Sequence, residues 1–245
     1  MGSILHVPSK LKRSDSFSRV EFINAYKENN PDQSDEAAIY ALRRLLKEKR
    51  ILRVSWNRYA VPQKKRIYHH EYSALSEEIA GKIQEKFVDP VFQIFELTQL
   101  NAFVNHLIAH NTVFVYVENE LLDPVFDALH STYPGQVLLK PSVDEYYRYR
   151  VDDEIVLGRL PSETPKGLEI PWHSRMEKIL VDIAIDKLLS QIVPAGEYEN
   201  IFTESYEHYY LDEAAMRRYA KRKGAEDKFD SFLMRHSCQA GEHSR

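Results

Sequence analysis

Apolar positions in the first sixty residues follow two periods in succession. Ser18 and Glu21 have the spacing of a capping box, so a helix is predicted to open there. Val20, Phe22, Ile23 and Tyr26 lean to one side of it, and Asn29-Asn30-Pro31 ends it. Ser34 is a second N-cap. After it Ala38, Ile39, Leu42, Leu45 and Leu46 recur at helical spacing, while Arg43, Arg44 and Lys47 project elsewhere. The period then shortens: Ile51 to Val54, a polar turn at Ser55 to Arg58, and Tyr59 to Val61 before Pro62 predict a hairpin. Helix, tight connection, basic helix and basic hairpin is the order of a winged helix-turn-helix. In such a module the second helix enters the major groove and the hairpin touches the backbone.

Residues 1–16 read as a flexible basic lead-in, in which Lys10, Lys12 and Arg13 could form a minor-groove arm. The winged helix is assigned to residues 17–68, within a boundary zone at 66–72 that follows Gln63-Lys64-Lys65-Arg66. Beyond it helical and strand patterns alternate. A helix from Ser73 is followed by a strand at 91–95, a helix LNAFVNHLIAH capped by Thr98, and a strand at 113–117. Next come a helix near Pro124–His130, strands at 137–139 and 155–157, and the helix VDEYYRYR between them. The tail reads as helical: Ser174 and Glu177 cap a helix with Met176, Ile179, Leu180, Ile183 and Leu188 inward. GEYENIFTESYEHYY follows, then LDEAAMRRYAKRKG ended by Gly224, then a helix over 227–235. The expected fold class is therefore α+β: a winged helix, an α/β domain with a small sheet over 69–235, a helical C-terminal tail, and a disordered end at 236–245.

Charge adds to this picture. The net charge of −4 conceals a division: residues 1–70 carry 15 Lys and Arg against 7 Asp and Glu, and the remainder 18 against 30. A basic helix face alone suits plain solvation, but this segregation suits a phosphate-facing head. One cysteine, Cys238, excludes a disulfide framework and fits a reducing cytoplasm. No apolar run approaches the roughly 20 residues of a membrane span. The N-terminus lacks a secretory core, and His6 stands where myristoylation wants Ser or Thr.

Catalytic patterns are sparse. Neither GxGxxG nor GxxxxGK occurs among the 8 glycines. His69-His70 is an adjacent pair, and His106 and His110 sit four apart without a convergent carboxylate. Glu118 with Glu120, Asp152-Asp153-Glu154, and Glu177, Asp182 and Asp186 are the acidic groups that could hold Mg²⁺. They read instead as surface carboxylates, with Glu177 occupied in capping. No cofactor, metal or catalytic residue is expected.

Two segments, ALRRLLKEKRILRVSWNRYAVP at 41–62 and RMEKILVDIAIDKLL at 175–189, carry a family resemblance. The chain resembles the antitoxin component of AbiE-type abortive-infection (type IV toxin–antitoxin) systems, with the match in element order covering most of residues 17–190. It departs in having Lys49-Arg50 where a glycine commonly ends the recognition helix, and in its helices after Pro194. The resemblance implies a cytoplasmic repressor that binds inverted repeats in its own promoter as double-stranded DNA and counteracts a nucleotidyltransferase toxin. By position it implies DNA contacts from Ser34, Tyr40, Arg43, Arg44 and Lys47 on the helix and from Arg53, Asn57, Arg58 and Tyr59 in the wing. Arg43 and Arg44 would read guanine; Lys47, Arg53 and Arg58 would hold phosphates. Leu42, Leu45, Ile51 and Val54 would be core.

Two other readings compete: a metal-dependent nuclease or nucleotidyltransferase-like enzyme targeted by its winged helix, and an interaction protein. The latter would dock a basic partner through Tyr146, Tyr147, Tyr149, Tyr206, Tyr209 and Tyr210.

Overall fold

The computed structural model describes residues 7–14, 16–62 and 65–237. The Gln63-Lys64 link, the Arg13 side chain, Cys238 and the rest of the C-terminal end lie outside the described residues. The protein is α+β, and the chain divides into two compact units, Met1–Tyr68 with Glu207–Asp212, and His69–Tyr206 with Glu213–Arg245.

The first unit is the winged helix-turn-helix. A 3₁₀ turn at Leu11–Arg13 precedes β1 (Phe17–Ser18), α1 (Arg19–Asn29), α2 (Asp35–Lys47), β2 (Leu52–Ser55) and β3 (Arg58–Ala60). Its antiparallel sheet has the order β1-β3-β2. Ser18 caps α1 with a full capping box: its Oγ accepts from Glu21 N at 3.2 Å, and its N–H donates to Glu21 Oε2 at 2.6 Å. Phe22, Leu42, Leu45, Ile51 and Phe17 form the core. Each large apolar side chain taken out of water there contributes about 1.5–3 kcal/mol. Two departures from the sequence reading follow from this core. Val7 and Leu11 are buried in it, so the lead-in is packed chain rather than a loose arm from residue 7 onward. Val20, by contrast, is 61% exposed. Six residues of the tail also belong to this unit. Tyr210 packs with Val54 and Ala60 and donates to Val61 O at 2.9 Å, and Arg66 exchanges backbone bonds with His208 and Tyr210.

The second unit is built on a four-stranded sheet, order β4-β5-β7-β6, comprising β4 (Phe92–Glu96), β5 (Thr112–Val117), β6 (Val137–Leu139) and β7 (Glu154–Arg159). β4 runs antiparallel to β5; β5, β7 and β6 are mutually parallel. α3 (Ala74–Lys86) and α4 (Leu122–Thr132) bury Ile79, Ile83, Val125 and Leu129 against one face, formed by Ile94, Val113, Val115 and Ile155. α5 (Val143–Tyr149) links β6 to β7, and Tyr146 Oη bonds Thr112 Oγ1 at 2.8 Å. On the opposite face α6 (Met176–Ile185) lays Lys178 Nζ over the Tyr116 ring at 3.5 Å. α7 (Leu189–Ile192), α8 (Tyr198–His208), α9 (Glu213–Arg222) and α10 (Glu226–Ser237) complete the chain, and Gly224 at φ +69° closes α9.

Two local expectations fail. The segment predicted as the helix LNAFVNHLIAH holds only the end of a 3₁₀ helix, Leu97–Ala102, and is otherwise irregular chain. Asn101 bonds both the N–H and the carbonyl of Ile108, and Asn111 accepts from Thr98 N–H and Oγ1. These asparagines offer the backbone an alternative to helical pairing. Ser174 likewise does not cap α6: the N-cap is Arg175, and Glu177 pairs with the Arg175 guanidinium instead of closing a box.

Candidate nucleic-acid interface

Helix α2 is fixed at both ends by its sequence. Ser34 Oγ accepts from Ala37 N at 3.3 Å, so Ser34 acts as the cap, with Asp35 and Glu36 in the first turn and Arg44 and Lys47 in the last. At the other end Lys49 takes φ +53°. Its N–H reaches Leu46 O at 3.0 Å, while Arg50 N–H reaches Leu45 O at 2.9 Å. That pair of bonds is a Schellman closure made on a lysine where a glycine would sit without strain. It turns Ile51 into the core, where it is 1% exposed.

With Ala38, Ala41, Leu42 and Leu45 inward, Tyr40, Arg43, Arg44 and Lys47 fall three or four residues apart on the outer face. All four are exposed, Tyr40 at 70%. No ion pair holds Arg43 or Lys47 among the described residues, while Arg44 Nε bonds Glu48 Oε1 at 2.8 Å. The Glu48 hydrogen bond and charge raise the Arg44 pKa further, so Arg44 must exchange one partner for another on meeting a phosphate or base.

The wing residues divide. Arg53 is exposed, its guanidinium 5.4 Å from the Trp56 ring centre and its Nε 3.4 Å from Ser55 O. Trp56, which the sequence reading passed over, stands 82% exposed at the hairpin tip. Its signal was its place as the first of two loop residues between Ser55 and Arg58, where a side chain projects from the turn. The other three implied contacts carry structural duties. Tyr59 is 5% exposed and packs 6.1 Å from Phe17, so it is a core residue and cannot face a duplex. Asn57, at φ +56°, forms the turn and accepts from Arg19 N at 3.2 Å, satisfying a free donor at the start of α1. Arg58 is half-buried, bonded to Ser16 Oγ at 2.5 Å and 3.7 Å from Glu21 Oε2. In the lead-in, Lys10 pairs with Glu28 at 3.1 Å.

In the second unit the acidic candidates scatter. Glu118 and Glu120 are exposed beyond β5, and Asp152 bonds His110. The surface reading fails for three others: Glu154, Glu177 and Asp182 are each 1–2% exposed. Glu177 is neutralised by Arg175, and Asp182 by Lys178 and Lys223 at 2.7 and 2.8 Å. Asp186 lies 3.6 Å from the same Lys223, so two ammonium groups already balance these two aspartates and leave no charge for a cation. Among the described residues none of these carboxylates falls in a group of three ligands close enough to share an ion. His106 bonds Glu197 rather than sharing a helix face with His110, and His70 bonds Glu96, whose other oxygen accepts from Ser73 and Ser76. In that cluster the carboxylate lies between serine and histidine, an order that caps α3 but cannot relay a serine proton. The tyrosines do not form one surface: Tyr146, Tyr209 and Tyr210 are buried, while Tyr147 and Tyr149 are about half exposed.

Among the described residues no helix is long and apolar enough to cross a membrane. None of the curated proteins matches the chain. Residues 37–239, which run from within α2 to past the end of α10, match the Family of unknown function (DUF6577), and the chain belongs to that family.

Proposed function

We propose that this protein is a non-enzymatic, double-stranded-DNA-binding transcriptional regulator acting through its winged helix. The carrying observation is the exposed stripe of Tyr40, Arg43, Arg44 and Lys47 on α2, the helix that such modules insert in the major groove. Trp56 and Arg53 at the wing tip supply a second contact, an aromatic face with a cation beside it, suited to the sugar-phosphate backbone. Arg43 is free to bond guanine O6 and N7 in bidentate fashion; Lys47 is placed for a phosphate. Of the nine residues implied by the resemblance, Tyr40, Arg43, Arg44, Lys47 and Arg53 stay in this proposal. Ser34 stays through its position at the helix start, while Asn57, Arg58 and Tyr59 support the wing from within.

The antitoxin role rests on the resemblance of residues 41–62 and 175–189. In that reading the protein is cytoplasmic, represses its own operon at promoter inverted repeats, and counteracts a nucleotidyltransferase toxin. The deciding experiment is a gel shift of the full chain on its own upstream promoter at two salt concentrations, with and without EDTA. Sequence-specific retardation that weakens with salt and ignores EDTA is the expected result. No retardation would overturn the DNA reading, and EDTA-sensitive alteration of the nucleic acid would replace it with an enzyme. Toxin counteraction is scored separately, by co-expression with a nucleotidyltransferase encoded beside this gene.

A further inference from the structure

The wing carries a break in its own ladder. Between Arg53 and Ser55 the β2–β3 register slips by one residue: Arg53 faces Tyr59, and Ser55 faces Arg58. Val54 is therefore the extra residue of a bulge, and the in-out alternation of β2 stops there. Val54 and Ser55 are both buried, at 6% and 1% exposure. A bulge bends its strand and re-aims the side chains around it. Here those are Arg53 before it and Trp56 directly after Ser55.

The two inward side chains meet residues 207–212, the segment of the tail that belongs to the first unit. Tyr210 packs on Val54 and Ala60, and its Oη donates to Val61 O at 2.9 Å, just past the end of β3. The Asp212 carboxylate accepts from Ser55 Oγ. The segment is itself pinned. Arg66 N donates to His208 O at 2.9 Å and Tyr210 N donates to Arg66 O at 3.0 Å, a parallel bridge centred on Tyr209. The Arg66 guanidinium lies 5.3 Å from the Tyr209 ring centre, and the Tyr68 ring meets that ring edge-on at 5.2 Å. Both legs of the hairpin are thus gripped, β2 at Ser55 and the exit of β3 at Val61. Ser55 joins this clamp to the exposed tip: its hydroxyl bonds Asp212, and its carbonyl accepts from Arg53 Nε at 3.4 Å. Arg53 in turn lies against the Trp56 ring, 5.4 Å from its centre.

We propose that Tyr210 and Asp212 are positioning residues for DNA binding. They hold the bulge that aims Arg53 and Trp56, and so set the wing's share of duplex affinity, although Asp212 stands 157 positions from Ser55 along the chain. The inference rests on the DNA reading above. A hairpin by itself is marginally stable, and its tip keeps one direction only if its legs are tied to something firmer.

The test uses the full chain with Asp212→Ala, Asp212→Asn and Tyr210→Phe, each at a temperature where its melting curve shows it folded. Without DNA, acrylamide quenching and time-resolved fluorescence anisotropy report the wing tip. Of the two tryptophans Trp56 is 82% exposed and Trp172 only 5%. Asp212→Ala and Tyr210→Phe should increase the local motion of Trp56. Asp212→Asn, which keeps an acceptor for the Ser55 hydroxyl, should restore most of the ordinary signal. On the upstream promoter duplex, Asp212→Ala should weaken binding by about threefold to tenfold, the scale of coupling within one hydrogen-bonded network. With Arg53→Ala and Trp56→Ala already in place, it should cost nothing further; a role in stability alone would cost the same in both backgrounds. Equal losses in the two backgrounds, full affinity in Asp212→Ala, or unchanged Trp56 motion would overturn this inference and leave the DNA reading standing. Failure of the unaltered chain to bind any duplex would overturn the DNA reading and the positioning role with it.

Discussion

Lys178 and Asp182 stand one turn apart on α6, their Nζ and Oδ2 atoms 2.7 Å from each other and each side chain 1% exposed. Lys223 adds a second ammonium 2.8 Å from the other oxygen, and Tyr219 Oη donates to that same oxygen at 3.0 Å. Burial alone would raise the Asp182 pKa; the two lysines outweigh it and hold the carboxyl below its ordinary range. The three charges are therefore unequal partners. Asp182→Asn leaves the buried Lys178 ammonium without its carboxylate, while Lys223 keeps Asp186 at 3.6 Å; Lys178→Met leaves Asp182 paired with Lys223. We expect the first change to cost about 3–5 kcal/mol and the second clearly less, measured by urea denaturation at neutral pH. Equal costs would mean that Lys223 does not compensate. The folded pKa of Asp182 is depressed, so its contribution is present above the unfolded carboxylate pKa and is lost on acidification below it.

Lys49→Gly should stabilise the winged helix. Lys49 closes α2 at φ +53°, and Gly224 makes the same closure of α9 at φ +69°, with Gly224 N bonded to Lys221 O and Ala225 N to Ala220 O. Only the second uses the residue without a Cβ penalty. Relief of that strain outweighs the greater freedom of glycine in the unfolded chain by about 0.5–1 kcal/mol. Thermal melting reads the effect, and destabilisation would show that the Lys49 side chain makes an interaction worth more than the strain.

Glu154 should make the second unit less stable as pH rises. It is 1% exposed, neither carboxyl oxygen has a hydrogen-bond partner among the described residues, and burial pushes its pKa up to about 7 despite the Arg150 charge. Between about 4.5 and 7 the folded state holds a proton that the unfolded chain releases, so stability falls across that window. Glu154→Gln should then stabilise by about 1–3 kcal/mol at pH 8 and have little effect near pH 4. His173 works oppositely: burial, then the nearby His69 and His70, lower its pKa to about 4, so acidification from about 6.5 toward 4 removes stability. Removing Glu154 should expose that acid-side loss. A gain from Glu154→Gln that did not vary with pH would refute the titration.

The sequence carried the winged helix well because its signals are local: Ser18 with Glu21, Ser34, and the change from period 3.6 to period 2 at Ile51. Strand β1 escaped notice because Phe17–Ser18 has no period of its own and exists only through pairing with β3. The wing contacts were overdrawn because strand alternation reveals that Tyr59 and Arg58 face opposite ways but not which way is in. Burial is decided by Phe17, which arrives from forty residues away. In α6 the apolar stripe was read correctly but treated as one face. The helix is buried all round, so Glu177, Lys178 and Asp182 went inside with it, and Asp182 is satisfied there by Lys178 one turn away together with Tyr219 and Lys223 from far along the chain. The helix lost after Thr98 shows the same limit: Asn101 and Asn111 look neutral in a periodicity count until their backbone partners are known.

The DNA reading makes graded demands on α2 and the wing. Arg43→Ala with Arg44→Ala should abolish sequence-specific retardation, since the only groups on that face able to form bidentate base contacts are gone. Stability should change by less than about 1 kcal/mol, because both side chains are exposed and the Arg44–Glu48 pair is a surface contact. Lys47→Ala should act differently, weakening binding to specific and random duplexes alike and reducing the salt slope by about one unit. Trp56→Ala should lower affinity for all sequences without altering preference, as loss of a backbone contact would. Tyr59→Ala is the contrasting case: it opens a cavity beside Phe17, costs about 3–5 kcal/mol, and disturbs DNA binding only through loss of the fold. Fluorescence anisotropy at several salt concentrations, paired with melting curves for each variant, separates these outcomes. Retained operator affinity in the double arginine variant would mean that α2 is not the reading helix, and a salt slope untouched by Lys47→Ala would remove that lysine from the interface.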